Sequence, residues 1–217
     1  FGHKRIFFQT KRIPFIYKNK KIGILGIARD ITGLYEIQEK LKKQAYYDEL
    51  TKIFNRKAYN ERIQEKFDLF DRYDTNFTIA MYDIDDFKKI NDTYGHDIGD
   101  KVLVEITNEV KSIIRKTDFF FRIGGEEFVI IFAKTSLDEA YDIAEKIRID
   151  VSKMQIIENE EITISMGITQ AMANDNPQSI YERVDKLMYQ SKRNNKNQTT
   201  KGWFLTISSS NIDKYDI

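Results

Sequence analysis

The residues with the clearest chemical promise are two carboxylates placed beside two glycines. The stretch FFFRIGGEEFVIIF, residues 119–132, sets Gly124, Gly125, Glu126 and Glu127 between two apolar runs. That pattern reads as a β-hairpin. Gly124 and Gly125 are expected as its two-residue turn, where a bare backbone lets a phosphate approach. A merely solvated acidic turn would look the same. A second stretch, YDIDDFKKINDTYGHDIGDKVL, residues 82–103, ends a strand in acids. Side chains alternate along a strand, so Asp83 and Asp85 share a face and Ile84 points away. If this strand neighbours the hairpin, Asp83 joins the glutamates at one edge of the sheet. Carboxylates gathered there repel one another unless a cation neutralises them. Hard oxygen ligands with open positions suit Mg²⁺, which takes one or two carboxylates plus substrate phosphates.

The same stretch holds Lys88 and Lys89, then Asn91, then Gly95, His96, Gly99 and Asp100 opening a helix. Guanine offers two donors on its pairing edge, and an ionised aspartate accepts both. Adenine presents an acceptor where guanine presents N1–H, so a carboxylate at Asp100 disfavours ATP. Asn91 can donate and accept with guanine's other polar atoms. The competing reading makes Asp97 or Asp100 a helix cap.

These groups need elements to carry them. NFTIAMYDID is strand-like. VLVEITNEVKSII places Val102, Ile106, Val110 and Ile113 on one helical face. SLDEAYDIAEKIRIDV opens with a capping box, Ser136 to Glu139. EITISMGIT alternates Ile162, Ile164, Met166 and Ile168 with small polar residues and reads as a half-buried strand. SIYERVDKLMYQSKR reads as a helix capped by Ser179 with Glu182. Strand, helix, hairpin, helix, strand, helix predicts an α+β fold, a mainly antiparallel sheet flanked by helices.

Upstream, RIFFQTKRIPFIY and KIGILGIARDIT are two β-prone runs joined by a KNKK turn. Two strands are too few to fold alone. LYEIQEKLKKQAYYDEL spaces Leu34, Ile37 and Leu41 by three and then four. That stripe fits a helix lying on its own domain or a coiled coil pairing two chains. Downstream, WFLTI is strand-like.

The chain has 217 residues, 41% hydrophobic, with 35 Lys+Arg against 34 Asp+Glu. It can bury a core, and it has no global field for nucleic acid or an anionic membrane. It has no cysteine, so disulfides and thiolate metal sites are excluded. No apolar run approaches a membrane span. The first residues, FGHKRIFFQTKR, show neither an initiator Met nor a signal peptide. The chain is expected to be part of a longer, cytoplasmic protein, whose tethering to a membrane stays open.

RIGGEEF and DIDDFKKINDTYGHDIGD closely resemble the GGDEF diguanylate cyclases. DELTKIFNRKAY resembles that family's entry motif, and DKLMYQSKRNNKN its last helix. GGEEF is a variant that keeps both acids. KIGILGIARDIT resembles the last strand of PAS sensor domains. These resemblances imply a PAS fragment over 1–33, a linker helix over 34–47, a catalytic domain over 48–197 and a tail over 198–217. They imply a palm-like fold like that of nucleotidyl cyclases and polymerases, and a homodimer condensing two GTP to cyclic di-GMP. Asp83, the Ile84 carbonyl and Glu126 would bind two Mg²⁺ per half-site, with Mn²⁺ as a substitute. Glu126 would be the candidate base, and Lys88 would stabilise charge on the phosphates. Asn91 and Asp100 would read guanine, and Lys192 and Lys196 would hold phosphates. The family usually has Gly at Asn195 and Arg at Lys196, and Glu127 stands between a ligand's role and a support's. Arg115 and Asp118 match the family's RxxD product-inhibition site; a solvated charge pair at a helix end would look the same. A silent domain acting as a GTP or cyclic di-GMP receptor is the other reading.

Overall fold

A computed structural model describes residues 5–202, and the WFLTI stretch lies outside them. The chain divides between Tyr46 and Tyr47 into two units.

The first unit holds an antiparallel hairpin, β1 (Phe8–Tyr17) and β2 (Lys20–Asp30), then a helix α1 (Thr32–Tyr46). Lys18 and Asn19 both take positive φ, 44° and 60°, as a two-residue type I′ turn requires. Asp30 accepts from Thr32 N at 2.8 Å, at the start of α1. The α1 stripe of Leu34, Ile37 and Leu41 is exposed.

The second unit is built on a six-stranded sheet of order β3-β5-β6-β4-β7-β8. Its strands are β3 (Phe54–Asn55), β4 (Phe77–Ile84), β5 (Phe119–Gly124), β6 (Glu127–Ala133), β7 (Ile164–Gln170) and β8 (Thr199–Lys201). Five helices accompany them: α2 (Arg56–Tyr73), α3 (Phe87–Tyr94), α4 (His96–Ile113), α5 (Leu137–Ser152) and α6 (Pro177–Arg193). The run from β4 to β7 is the split βαβ arrangement, with the hairpin β5–β6 at its centre. β4 is antiparallel to both neighbours and buried along all its residues.

The alternation of β4 sorts the layers. Ala80, Tyr82 and Ile84 join a core with Val102, Leu103, Ile106 and Val110 of α4 and Ala140, Ala144 and Ile147 of α5. Ile79 and Met81 face the other way, as does Asp83. On that side α6 packs on β4 and β7, and α2 on β5.

Four local expectations change. The turn of the β5–β6 hairpin is Gly125–Glu126, because Gly124 pairs with Glu127. Gly125 alone of that pair takes a positive φ, 47°, the requirement of a first-position glycine turn, so Glu126 sits at the tip. β7 is buried on both faces rather than one. Its small residues face a helix: a Cβ on Gly167 would lie 2.3 Å from Met188 N and 2.4 Å from Val184 O of α6. α6 begins at Pro177 with Asn176 as its cap, so Ser179 is the third residue of the box rather than its start. α4 is capped by no side chain, and neither Asp97 nor Asp100 serves as its cap. The Ser136–Glu139 box of α5 is present as expected.

Candidate active site

β4 and β6 pair with Asp83 opposite Glu127. Register therefore brings the strand-end acid to the glutamates of the turn, and Ile84 N reaches the Glu126 carbonyl at 3.4 Å. The Asp83 side chain is only 7% exposed. Lys192 Nζ of α6 lies 2.7 Å from Asp83 Oδ1, and this one ion pair is the only side-chain contact recorded for the carboxylate among the described residues. Burial pushes the Asp83 carboxyl up to about 6, against the pull of Lys192 and helped by Glu126 and Glu127. Glu127 is also raised, by burial and then by Asp185. A buried carboxylate beside two glutamates, with a single lysine against them, fits a hard divalent cation, since it supplies oxygens and no soft ligands. Among the described residues no group of three or more His, Asp or Glu is placed to hold a metal ion by itself. Asp83 and Glu126 are the two carboxylates of the set expected from the sequence, and Ile84 follows Asp83 at the end of β4.

The turn is braced from behind. Arg122 Nε donates to Gly125 O at 2.9 Å, and its Nη1 to Asp48 Oδ1 at 3.1 Å. Asp48 also accepts from Thr51 N and Oγ1 at 2.8 and 2.7 Å. Its burial would raise the carboxyl, but the bonds from Thr51 and Arg122 outweigh that and hold it below its usual value. The first residues after α1 and the tip of the hairpin therefore share one guanidinium. No signal in a single sequence joins two residues this far apart.

Asp85, expected only as Asp83's companion, is a structural hub. It accepts from Thr163 Oγ1 and Ser165 Oγ, both at 2.7 Å, and from Asn197 N at 3.1 Å. These bonds tie β4 to β7 and to the turn after α6. In that turn Asn195, Lys196 and Asn197 all take positive φ, 75°, 58° and 43°. Asparagine tolerates the left-handed region best after glycine, which is a physical reason for Asn195 where the family uses Gly. Lys196 Nζ lies 2.7 Å from Asp86 Oδ1, so that carboxylate competes with any phosphate for it. Lys88 is exposed and engages no acid among the described residues.

Asn91 of α3, half-buried, lies against Gly99 of α4, whose next residue is the exposed Asp100. Arg115 and Asp118 lie between α4 and β5. Asp118 Oδ2 accepts from Arg115 N at 3.0 Å, and its Oδ1 from Ala133 N at 3.2 Å. Arg115 is exposed. Asn55 caps α2 by accepting from Ala58 N at 3.1 Å. Phe120, Phe121 and Phe128 are core, while half-buried Phe119 lies beneath Arg62 and Lys66.

The family model "Diguanylate cyclase, GGDEF domain" matches residues 45–198. Diguanylate cyclase DgcM of Escherichia coli K12 is 34% identical over 183 residues, 84% of this chain and 44% of its own length. The chain thus spans under half of that relative. The coiled coil and GGDEF domain of DgcB from Caulobacter crescentus, solved with c-di-GMP, superposes with a TM-score of 0.77. It is 29% identical, over 79% of this chain and 93% of that one. The active GGEEF domain of a diguanylate cyclase from Vibrio cholerae gives 0.65 at 34% identity, over 68% of this chain and 96% of that one.

Proposed function

Because the chain belongs to the GGDEF-domain diguanylate cyclase family, we propose that it condenses two GTP into cyclic di-GMP with release of two pyrophosphates. The observation that carries this reading is the buried Asp83 carboxylate, with Lys192 as its one recorded partner among the described residues, set beside the intact Gly-Gly-Glu-Glu turn. Each 3′-oxygen attacks the α-phosphate of the other GTP. Two P–O bonds form, two bonds to pyrophosphate break, and each hydroxyl proton must be accepted. Glu126, at the tip of the turn, is the candidate acceptor. Asp83, Glu126 and the Ile84 carbonyl would hold two Mg²⁺ per half-site, or Mn²⁺ in their place. The bound ions supply charge neutralisation on the phosphates and a lowered pKa for the attacking hydroxyl. Lys88 and Lys192 offset phosphate charge, with Lys196 a weaker partner while Asp86 holds it. Asn91 and Asp100 read guanine.

One half-site holds one GTP, so two chains must face each other antiparallel. The exposed α1 stripe suits a parallel pairing of linker helices that would control this meeting. Arg115 and Asp118 would bind cyclic di-GMP as an inhibitor. The upstream hairpin is read as the end of a PAS sensor domain over 1–33, followed by a linker over 34–47 and the catalytic domain from 48. β8 carries the sheet to Lys201, past the expected boundary at 197. No described helix is long and apolar enough to cross a membrane. A cytoplasmic site of action is part of the proposal.

A silent receptor would have no need of the full set of acids and glycines present here. The similar Vibrio cholerae domain, described as active, carries the same GGEEF motif. The test is incubation with GTP and Mg²⁺ followed by chromatography. Cyclic di-GMP and pyrophosphate in a 1:2 ratio are expected. Tight GTP binding with no product would leave the receptor reading.

A further inference from the structure

Asn91 and Asp100 sit on different helices, and their mutual placement depends on the elbow between them. That elbow is a single residue, Gly95, with φ 84° and ψ 162°. Only glycine enters that region readily. Gly95 N donates to Asn91 O at 2.9 Å, and Gly99 N to Gly95 O at 3.2 Å. Asn91, Gly95 and Gly99 therefore follow one another in backbone hydrogen-bonded steps, folding the first turn of α4 back against α3.

Gly99 is buried where the two helices meet. A Cβ built on it would lie 1.9 Å from Asn91 Oδ1, 3.0 Å from Asn91 Cγ and 3.3 Å from Phe87 Cζ. The Asn91 amide thus fills the space a side chain at 99 would need. No hydrogen bond within the described residues fixes that amide. Its direction is set by shape alone, against the bare Cα of Gly99, and the next residue along is Asp100. We infer that Gly99 is the seat that aims Asn91 alongside Asp100, and so sets base specificity without touching the nucleotide. This rests on the reading of Asn91 and Asp100 as the guanine contacts. Gly99 is a positioning residue. Any larger residue there would turn the amide away while leaving Asp83, Glu126 and Lys192 in place.

The experiment compares the parent, Gly99→Ala, Asn91→Ala and the double variant, by melting temperature and by kcat and KM with GTP and with ATP. Gly99→Ala should lower the GTP-over-ATP ratio of kcat/KM by about tenfold, the scale of one hydrogen bond, mainly through KM. Asn91→Ala should lose about as much, and the double variant no more than either. The double variant should also regain the thermal stability that Gly99→Ala loses, since the clashing amide is gone. If Gly99→Ala does not fold, recovery of folding in the double variant supports the inference and failure of both overturns it. Parental base preference in Gly99→Ala, with preference lost in Asn91→Ala, would show that Gly99 seats nothing. Losses that multiply in the double variant would mean that Gly99 acts through Phe87 or the backbone, which also overturns it. Parental preference in Asn91→Ala would remove the guanine reading itself, and the inference with it.

Discussion

Asp83 and Asp175 are withdrawn from water to the same degree. Each side chain is 7% exposed and faces one cation, Lys192 at 2.7 Å and Arg183 at 2.6 Å. Their surroundings differ in every other respect. Asp175 takes both arms of the Arg183 fork, and also accepts from Met172 N at 2.9 Å and Ser179 Oγ at 3.0 Å. Arg183 spends its remaining donors on Thr169 Oγ1 and Gln170 O. Burial alone would raise the Asp175 carboxyl, but these bonds hold it below its usual value. Asp83 has a single lysine and a carboxyl raised to about 6. A satisfied pair fixes the fold where α6 begins. A sparsely bonded pair, at the other end of the same helix, leaves interaction strength for a ligand. A buried carboxylate whose pKa its own protein raises is a costly feature, and such features are retained where function needs them.

The sharpest break in that comparison removes charge from the sparsely bonded side. Asp83→Asn and Glu126→Gln should each cut cyclic di-GMP formation by about a thousandfold or more, given that metal electrostatics supply several kcal/mol and each 1.36 kcal/mol is tenfold. Melting temperature without metal should hold or rise for Asp83→Asn, because an ionised group in a desolvated place is gone. Activity within tenfold of the parent in Glu126→Gln would remove its assignment.

The same substitution on the satisfied side should do the reverse. Asp175→Asn leaves Arg183 buried with a weakened partner and should cost about 3–5 kcal/mol in urea denaturation. Activity per folded molecule should stay near the parent's. The pH dependence has a definite sign. A folded-state value below the unfolded one means the contribution of Asp175 is complete above the unfolded pKa, near 3.8, and is lost as pH falls below it. The stability gap between parent and Asp175→Asn should therefore narrow in acid. A gap independent of pH would show that the pair's charge is not what holds this end.

Arg122 lies between the two extremes, since it uses a satisfied pair to place a functional turn. Arg122→Lys keeps the charge but cannot reach Asp48 and Gly125 O together. It should cost about 1.5–3 kcal/mol of transition-state stabilisation, the scale of a charged hydrogen bond, read as reduced kcat with little change in stability. A normal kcat would mean that the turn holds its own shape.

The two sides were not equally legible in the sequence. The candidate functional residues carry local signals: Asp83 its place at a strand end, Glu126 its glycines, Asn91 and Asp100 their hydrogen-bonding chemistry. That β4 neighbours the hairpin was a condition in the sequence, and the register of β4 with β6 meets it. The satisfied networks are assembled by tertiary contact. Asp175–Arg183 and Asp48–Arg122 have no signature beyond residue type, and parity shows only that Asp85 shares Asp83's face, not that it ties β4 to β7. The β7 alternation was read correctly as a period of two, but its small polar members were assigned to water. Ser165 and Thr169 instead bond Asp85 and Arg183, and Gly167 admits α6. Small residues on the second face of a strand can mark a closely packed helix as well as solvent. β8, at three residues, offers too short a run for any pattern.

The smallest expected effect concerns a residue pair that divides between the two classes. Asp118 resembles Asp175, because both its oxygens already accept backbone N–H groups, from Arg115 and Ala133, and close the loop between α4 and β5. Arg115 resembles the functional side, exposed and with no acid of the described residues in an ion pair with its guanidinium. Removing Asp118 would therefore disturb the loop as well as any ligand, and a loss of binding in Asp118→Ala would prove little. Arg115→Ala is the cleaner variant, since its backbone N–H stays to donate to Asp118. If the pair takes cyclic di-GMP, calorimetry should show Arg115→Ala losing at least ~1.5 kcal/mol of product binding, as for a hydrogen bond to a charged group. Its initial rate should stay parental and its progress curve should bend less as product accumulates. Asp118→Ala should lose binding and melting temperature together. Equal product affinity in Arg115→Ala and parent would place the whole pair with Asp175, as a structural turn at a helix end.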